Sequence, residues 1–584
     1  MEKAADSLLL EFPPVSTETW EEAIAKDLKG ADYAKKLIWK TEEGLALKPY
    51  YRAEDVRGLE HLADAPDGIR RLEGASSNGN WRIREEIDAT DAEQANAAAH
   101  YAVGAGAEEI AFCNVAVESS PELGVLLGNL QEISVHFENA DAPLLRLLIE
   151  RLAKRPITSR LSTGFDPLGD LEFAAEVIRI APPVLVPFTI HGESFEESGA
   201  TAVEEVGLTI AAGIDFLAEM QARGVEICRA AASIGFSFAI GANFFFQIAK
   251  FRAFRILWAQ AVESFGEGHA PARAFLHART SRWNKTVYDP HVNILRATTE
   301  AMSAALGGVD AITVAAFDEC YKAPDEASRR LARNTQILLK QEGLLSRVAD
   351  PGAGSYSLEV ITDFIAREGW KLMQAIEAEG GYRKARLDGT IARMLEQSLA
   401  AREKAVNSRR RTFTGTNNYA NPAERALDRI DRERVERNRR GTWGFEQLRL
   451  RTERHAAATG KTPRVLLAEF GDAKMRAARS GFAANFFACA GFALLTKRFD
   501  TADAIAASDA ELIVLCSADA EYAAMAEELI ARLKALGRTT PVVVAGNPES
   551  AEQLRAAGEA DFIHVRSNPI EVLTAWQQRL GIGD

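Results

Sequence analysis

Several things are missing from this sequence of 584 residues. No apolar run approaches the roughly 18–20 residues that span a bilayer. The start, Met-Glu-Lys-Ala-Ala-Asp, lacks the basic stretch and apolar core of a secretory leader. A cytoplasmic protein with no membrane partner is therefore expected. Cysteine is scarce: Cys113, Cys228, Cys320, Cys489 and Cys516 are scattered, odd in number and without metal-ligand spacing. That excludes a disulfide scaffold and a zinc-ribbon framework, and suits buried thiols in a reducing compartment. The nine histidines contain no i,i+4 pair and no triad at metal-site spacing, so no metal site is expected. Positive charge is in deficit, with a formal net charge of −14. This argues against a general nucleic-acid binder, although a local basic pocket for a phosphate stays possible. No internal repeat or low-complexity tract stands out.

What is present fits a globular protein with more than one core, 47% hydrophobic by residue count. From about residue 105, short β-rich apolar segments alternate with helical patterns. Strand candidates are Glu109–Val117, Glu132–Phe137, Ile157–Ser162, Val184–Ile190, Gly235–Gly241, Ala274–His277, Ala311–Phe317 and, more weakly, Ser346–Tyr356. Between them lie patterns such as Val203, Val206, Ile210, Ile214 and Leu217, ended by Gly224. This alternation predicts an α/β fold with a (β/α)8 TIM barrel over residues 52–400. A doubly wound open sheet is the alternative, because order in space cannot be read from a sequence. Residues 462–584 form a second α/β unit. Its strands are expected at Val465–Ala468, Leu512–Leu515, Val542–Val544 and, more weakly, Phe562–Val565, and a flavodoxin-like sheet is the expected form.

Two further stretches have a different character. Residues 401–461 are dense in charge, with Ser408-Arg409-Arg410-Arg411 and Asp428 to Arg434, broken by Asn417-Asn418-Tyr419-Ala420-Asn421-Pro422. They read as a linker with a solvated helix, whose basic triplet could hold a phosphate. Residues 1–51 read as an arm. Ser16 or Thr17 can cap a helix with Trp20, Ile24 and Leu28 on one face, closed by Gly30. Phe12, Trp20, Trp39, Tyr50 and Tyr51 must be buried either on the arm's own domain or on another chain.

The stretch from Arg279 to Gly308 is the most specific. The apolar Ala274-Phe275-Leu276 leads into Arg-Thr-Ser-Arg-Trp-Asn-Lys-Thr-Val-Tyr-Asp-Pro-His-Val-Asn. Then Val292, Leu295, Thr299, Met302 and Leu306 keep helical spacing up to Gly307-Gly308. Strand, polar loop and helix suit the ligand-binding end of a barrel, and a solvated loop is the bland reading. The wording resembles the adenosylcobalamin-dependent acyl-CoA mutases, in particular the small (beta) subunits of methylmalonyl-CoA mutase. The resemblance runs from about Phe12 to the C-terminus. It includes Asn243 to Arg252, with Gln247 for the usual Glu, then Arg333-Asn334-Thr335-Gln336 and Asp350-Pro351-Gly352-Ala353-Gly354-Ser355-Tyr356.

The resemblance implies a mutase barrel followed by a cobalamin-binding-like domain, and two sites that can be checked by position. Catalytic members carry Asp-x-His-x-x-Gly after the first strand of the C-terminal domain. The matching run is Gly471-Asp472-Ala473-Lys474-Met475-Arg476-Ala477, with Lys474 in place of the cobalt-ligating His and Ala477 in place of Gly. A protonated Lys has no lone pair for a metal. The family's double glycine survives only as Ala545-Gly546-Asn547, and its paired serines as Cys516-Ser517. No cofactor is expected on this chain.

At the end of Val184–Ile190, catalytic chains read Ser-Gly-Tyr-His-Ile-Arg-Glu-Ala-Gly-Ala. This chain reads His191-Gly192-Glu193-Ser194-Phe195-Glu196-Glu197-Ser198-Gly199-Ala200. Glu193 and Ser194 replace the Tyr-His pair of the radical site, and His191 stands where the family has Ser. The family's Thr-Ile-Gln-Asn segment is replaced by Thr163 to Gly169, and its adenosyl-wedging Tyr has no match in Leu72 to Trp81. The resemblance therefore implies no catalytic residues here, with His191 as a residual acid/base candidate. It implies a non-catalytic subunit that supports a large, cobalamin-loaded partner interconverting (R)-methylmalonyl-CoA and succinyl-CoA in propionate metabolism. The arm would wrap that partner in a heterodimer. The alternatives are a stand-alone acyl-CoA isomerase using His191, Glu193 and Ser194, and an acyl-CoA-binding regulatory module.

Overall fold

The computed structural model describes residues 15–59, 61, 79–155, 157–266, 273–437, 439–556 and 561–583. Phe12 and Leu72 to Asn78 lie outside them. The helix Thr17–Asp27 is capped by Ser16 and ends at Leu28 rather than Gly30, with Lys29 and Gly30 following at positive φ. A small antiparallel pair, β1 (Trp39–Lys40) and β2 (Ala46–Leu47), follows. Trp20 and Trp39 remain about half exposed, at 49% and 52%. Among the described residues, no helix is long and apolar enough to cross a membrane.

A ring of parallel strands comes next: β3 (Arg82–Asp88), β4 (Glu109–Cys113), β5 (Ser134–Phe137), β6 (Leu161–Thr163), β7 (Leu185–Val186), β8 (Phe188–His191), β9 (Ile234–Ile240), β10 (Phe275–Thr280) and β11 (Ala311–Thr313). β7 and β8 are the two halves of one strand. The break falls at Pro187, which has no N–H to continue the ladder. β7 pairs with β6 and β8 pairs with β9, so this broken strand closes the ring. The result is the expected eight-membered α/β barrel, wrapped by helices such as Ala202–Ala222, Phe244–Glu263 and Tyr356–Ala378.

One barrel strand differs from expectation. Ser346–Tyr356 is no strand: Leu345–Arg347 is a 3-10 turn, Asp350 has φ +40°, and Tyr356 begins a helix. The loop serves that helix's start, where the Gly354 N–H donates to Glu359 and Arg252 binds Asp350 through two hydrogen bonds. The missing strand is instead β3, Arg-Ile-Arg-Glu-Glu-Ile-Asp. Its charges hide it in the sequence and are neutralised in the fold, with Arg84 on Glu109, Arg333 on Glu85 and Arg279 on Glu86.

The C-terminal unit is a five-stranded parallel sheet in the order β13-β12-β14-β15-β16. Its strands are β12 (Arg464–Glu469), β13 (Ala493–Arg498), β14 (Leu512–Cys516), β15 (Val542–Ala545) and β16 (Asp561–Ile563). This 2-1-3-4-5 order is flavodoxin-like. β13 escapes sequence reading because it is an edge strand whose later residues, Leu495 to Arg498, face solvent.

The charged stretch presents the expected wet face only in part: Asp428 to Glu433 are mostly exposed, and the short helix Arg432–Arg437 buries only Val435. In the helix Trp443–Thr459, Glu446, Leu448, Arg449, Leu450 and Thr452 are buried. They clamp the loop after β10. The Trp283 ring contacts the guanidinium groups of Arg402 and Arg411, whose carbons lie 4.1 and 4.6 Å from its centre. Tyr288 carries Arg449 on its ring at 3.7 Å and donates to Glu453 at 2.8 Å. The Val287 N–H donates to Glu446. Gly441 is needed here because a Cβ would meet the Trp283 ring. The loop that looked ready for a ligand is a buried joint between barrel and C-terminal sheet.

Candidate functional site: a filled barrel and a filled crevice

Barrel enzymes bind at the C-terminal ends of their strands. In this barrel the axis itself is occupied by polar side chains. At the N-terminal end, Arg84 pairs with Glu109, and the Arg160 guanidinium lies 3.5 Å from the centre of the Phe275 ring. Above them, the Ser162 hydroxyl meets His136 Nδ1 at 2.9 Å, and Ser237 meets His277 Nδ1 at 2.9 Å. His277 Nε2 contacts the Thr313 hydroxyl, also at 2.9 Å. The cavity left among Arg84, His136, Glu138, His191, Ser237 and His277 measures about 10 Å³. That is room for about one water and no acyl chain.

At the mouth, Glu138 follows β5, His191 ends β8, and Glu193 opens the short helix Glu193–Glu197. His191 Nδ1 lies 2.7 Å from Glu193 Oε1, and its Nε2 lies 2.8 Å from the Gly164 carbonyl oxygen. His136 Nε2 lies 3.1 Å from Glu138. Burial opposes charge on His191, but the Glu193 carboxylate, the Gly164 carbonyl and Glu138 outweigh it and push its pKa up to about 10. Burial also works against the Glu138 carboxylate. The hydrogen bond from His136 and the neighbouring imidazoles overcome it and hold Glu138 well below its usual range. Deeper in the lumen, burial and then Arg84 keep His136 and His277 below the ordinary histidine value.

The structure therefore brings His191 and Glu193 together, and separates Ser194 from them. The Ser194 hydroxyl donates to the His191 carbonyl at 2.7 Å, and Ser194 and His191 both line a cavity of about 260 Å³ beside the lumen, with Asp166, Phe195, Tyr382 and Arg386. Glu196 is buried against Arg402 and the Ser281 hydroxyl, at 2.9 and 3.0 Å. Sequence reading missed Glu138. Its only signal was an acidic residue directly after an apolar strand, the place where barrels carry functional groups.

The second place where a ligand could sit is the C-terminal sheet, at the switch point between β12 and β14. There the chain supplies its own anion. The Glu521 carboxylate accepts from the Asp472 N–H and the Ala518 N–H, each at 3.2 Å, and from the Ser517 hydroxyl. Gly471 has a positive φ, and a Cβ on it would run into this carboxylate. Asp472 is the cap of the helix Ala473–Ala488, accepting from the N–H groups of Lys474 and Met475. Lys474 and Ala477 lie in the first turns of that helix and are exposed. A lysine in place of an imidazole and a carboxylate already seated at the switch point do not match what a corrin with a nitrogen ligand below cobalt requires.

Comparison with known proteins adds the family. The family model described as methylmalonyl-CoA mutase matches residues 172–482. The methylmalonyl-CoA mutase small subunit of Porphyromonas gingivalis is 36% identical, covering 100% of both chains. That of Streptomyces virginiae is 31% identical over 99% of this chain and 98% of its own length. The methylmalonyl-CoA mutase large subunit of Streptomyces virginiae is 28% identical over 78% of this chain and 69% of its own.

Proposed function

The chain belongs to the methylmalonyl-CoA mutase family, and we propose that it is the small, non-catalytic subunit of a heterodimeric mutase. Its partner is a large homologous subunit that carries adenosylcobalamin and interconverts (R)-methylmalonyl-CoA and succinyl-CoA. The reaction would serve propionate metabolism in the cytoplasm. The observation that carries the reading is the filled lumen: about 10 Å³ among buried polar side chains leaves no room for an acyl group inside the barrel.

The rest of the site supports the same reading. Glu193 and Ser194 stand where the family's catalytic chains have Tyr and His. Glu193 is tied to His191, and the Ser194 hydroxyl is bonded to the His191 carbonyl. Lys474 cannot serve as an imidazole, and Glu521 occupies the crevice of the C-terminal sheet. The relatives that cover the full chain are named as small subunits. On this reading the chain's task is to hold its partner.

The surface for that task is the arm, where Trp20 and Trp39 are about half exposed on residues with little core of their own. Burying an aromatic ring on a partner contributes roughly 1.5–3 kcal/mol before ordering costs. Deleting residues 1–51 should therefore weaken the complex with the large homologue by about 100-fold or more, read by light scattering or calorimetry on co-expressed chains. A full-length chain that stays monomeric beside the large homologue would contradict the subunit role and favour a stand-alone isomerase.

A further inference from the structure

The mouth of the barrel holds a donor set that the filled-lumen account does not use. One ligand atom each from Glu138, His191 and Glu193 lies within 4.8 Å of the other two. The three residues come from the ends of two separate strands and the turn that follows one of them, so the fold rather than local sequence assembles them. This is why the spacing of histidines along the chain points to no metal site. We propose that Glu138, His191 and Glu193 bind one divalent first-row transition-metal ion, of which Zn²⁺ is the type.

The surrounding bonds orient these side chains as ligands. The Gly164 carbonyl can only accept, so His191 Nε2 must carry a proton and donate to it at 2.8 Å. That leaves Nδ1 turned toward Glu193 as the atom able to bind a metal, with the ion displacing any proton held between the two. A histidine fixed through its other nitrogen by a carbonyl is the usual arrangement of a metal-bound imidazole. Gly164 can come this close because it has no side chain; a Cβ there would collide with the Glu138 carbonyl oxygen. Glu138 is held in the same manner. The Ser162 hydroxyl meets His136 Nδ1 at 2.9 Å, and His136 Nε2 meets Glu138 at 3.1 Å. Glu193 Oε2 is buried and has no hydrogen-bond partner among the described residues.

The charges and the size also fit. Two carboxylates and a neutral imidazole neutralise a divalent ion, and a mixed nitrogen and oxygen set suits Zn²⁺ or its neighbours better than Ca²⁺ or Mg²⁺. Ligands around a tetrahedral Zn²⁺ stand about 3.4 Å apart when each lies about 2.1 Å from the ion. A triangle within 4.8 Å closes to that size by small rotations, with the 2.7 Å contact between His191 and Glu193 opening as the ion enters. The fourth position would hold water. The ion would tie the end of β5 to the end of β8 across the mouth.

The test uses the full chain, cleared with a chelator and titrated with Zn²⁺ by calorimetry, then desalted and assayed for metal. One Zn²⁺ per chain should be retained, and its binding should raise the melting temperature. Glu138→Gln and Glu193→Gln should each weaken binding at least tenfold, while Glu197→Gln, on the same short helix but outside the donor set, should not. Co²⁺ provides a readout that needs no variant, since the wild-type chain should give the intense visible bands of a four-coordinate site. Absence of retained Zn²⁺, or Zn²⁺ bound equally well by both variants, would overturn the proposal.

Discussion

The barrel lumen and the C-terminal crevice are both places where their folds bind ligands, and in this chain both are filled from within. They are filled in different ways. The lumen receives side chains from nearly every strand, among them Arg84, Glu109, His136, Ser162, Ser237, His277 and Thr313, each in polar contact with another. The crevice is filled by one carboxylate, Glu521, on three donors. A plug spread over many strands cannot be removed by one substitution without leaving buried charge unpaired, whereas a plug of one residue can.

The largest effect should come from breaking the lumen. Arg84→Met leaves the buried Glu109 carboxylate without its nearest cation, with Arg82, 3.6 Å away, and Arg160 as the remaining guanidinium groups acting on it. Removing one partner of a buried pair costs about 3–5 kcal/mol. Chemical denaturation of the variant should show a loss of that order; a loss under about 1 kcal/mol would mean that the lumen is wetter than its geometry.

Acid should separate the two regions next. Burial disfavours the Glu359 carboxylate, but hydrogen bonds from His61, Arg252 and the Gly354 N–H pull its pKa down to about 2, against 4.5 ordinarily. Asp363 and Asp350 complete the cluster around His61 and Arg252. A carboxylate depressed in the folded state contributes stability that is fully present above about 4.5 and lost as pH falls toward 2. Glu359→Gln should therefore lower barrel stability at pH 7 and flatten its decline between pH 4.5 and 2. An unchanged acid limb, followed by urea melts at several pH values, would show that this cluster adds nothing.

The smallest effect is expected in the crevice. Glu521 is tied by hydrogen bonds near the surface, so Glu521→Gln should cost no more than about 1–2 kcal/mol. The same variant should still retain no corrin after incubation with adenosylcobalamin and desalting, because Lys474 remains. Corrin retained by Glu521→Gln alone would mean that the carboxylate is the whole barrier.

How much of this was legible in the sequence follows from where each group gets its partner. Gly235–Gly241 and Ala274–His277 announced themselves because buried parallel strands are apolar on both faces. Arg82–Asp88 did not, because its charges are balanced by Glu109, Arg333 and Arg279, remote in sequence. Ser346–Tyr356 carried strand-like residues in what is a helix-capping loop. His191 and Glu193 could be located by the motif they interrupt. Glu138, whose meaning depends on a residue in another strand, could not, and nothing marked Glu521 as the group that fills the crevice. The charged run through Arg449 looked solvated because sequence shows charge but not the Tyr288 ring and carbonyls that bury it.

The central claim is that this chain holds its partner and does no chemistry of its own. The most direct measurement is the cobalamin content of the reconstituted pair, each chain first loaded alone with adenosylcobalamin and desalted. The account predicts one corrin for each pair, all of it on the large subunit, and none on this chain by itself. Two corrins for each pair, or stoichiometric corrin on the isolated chain, would contradict it.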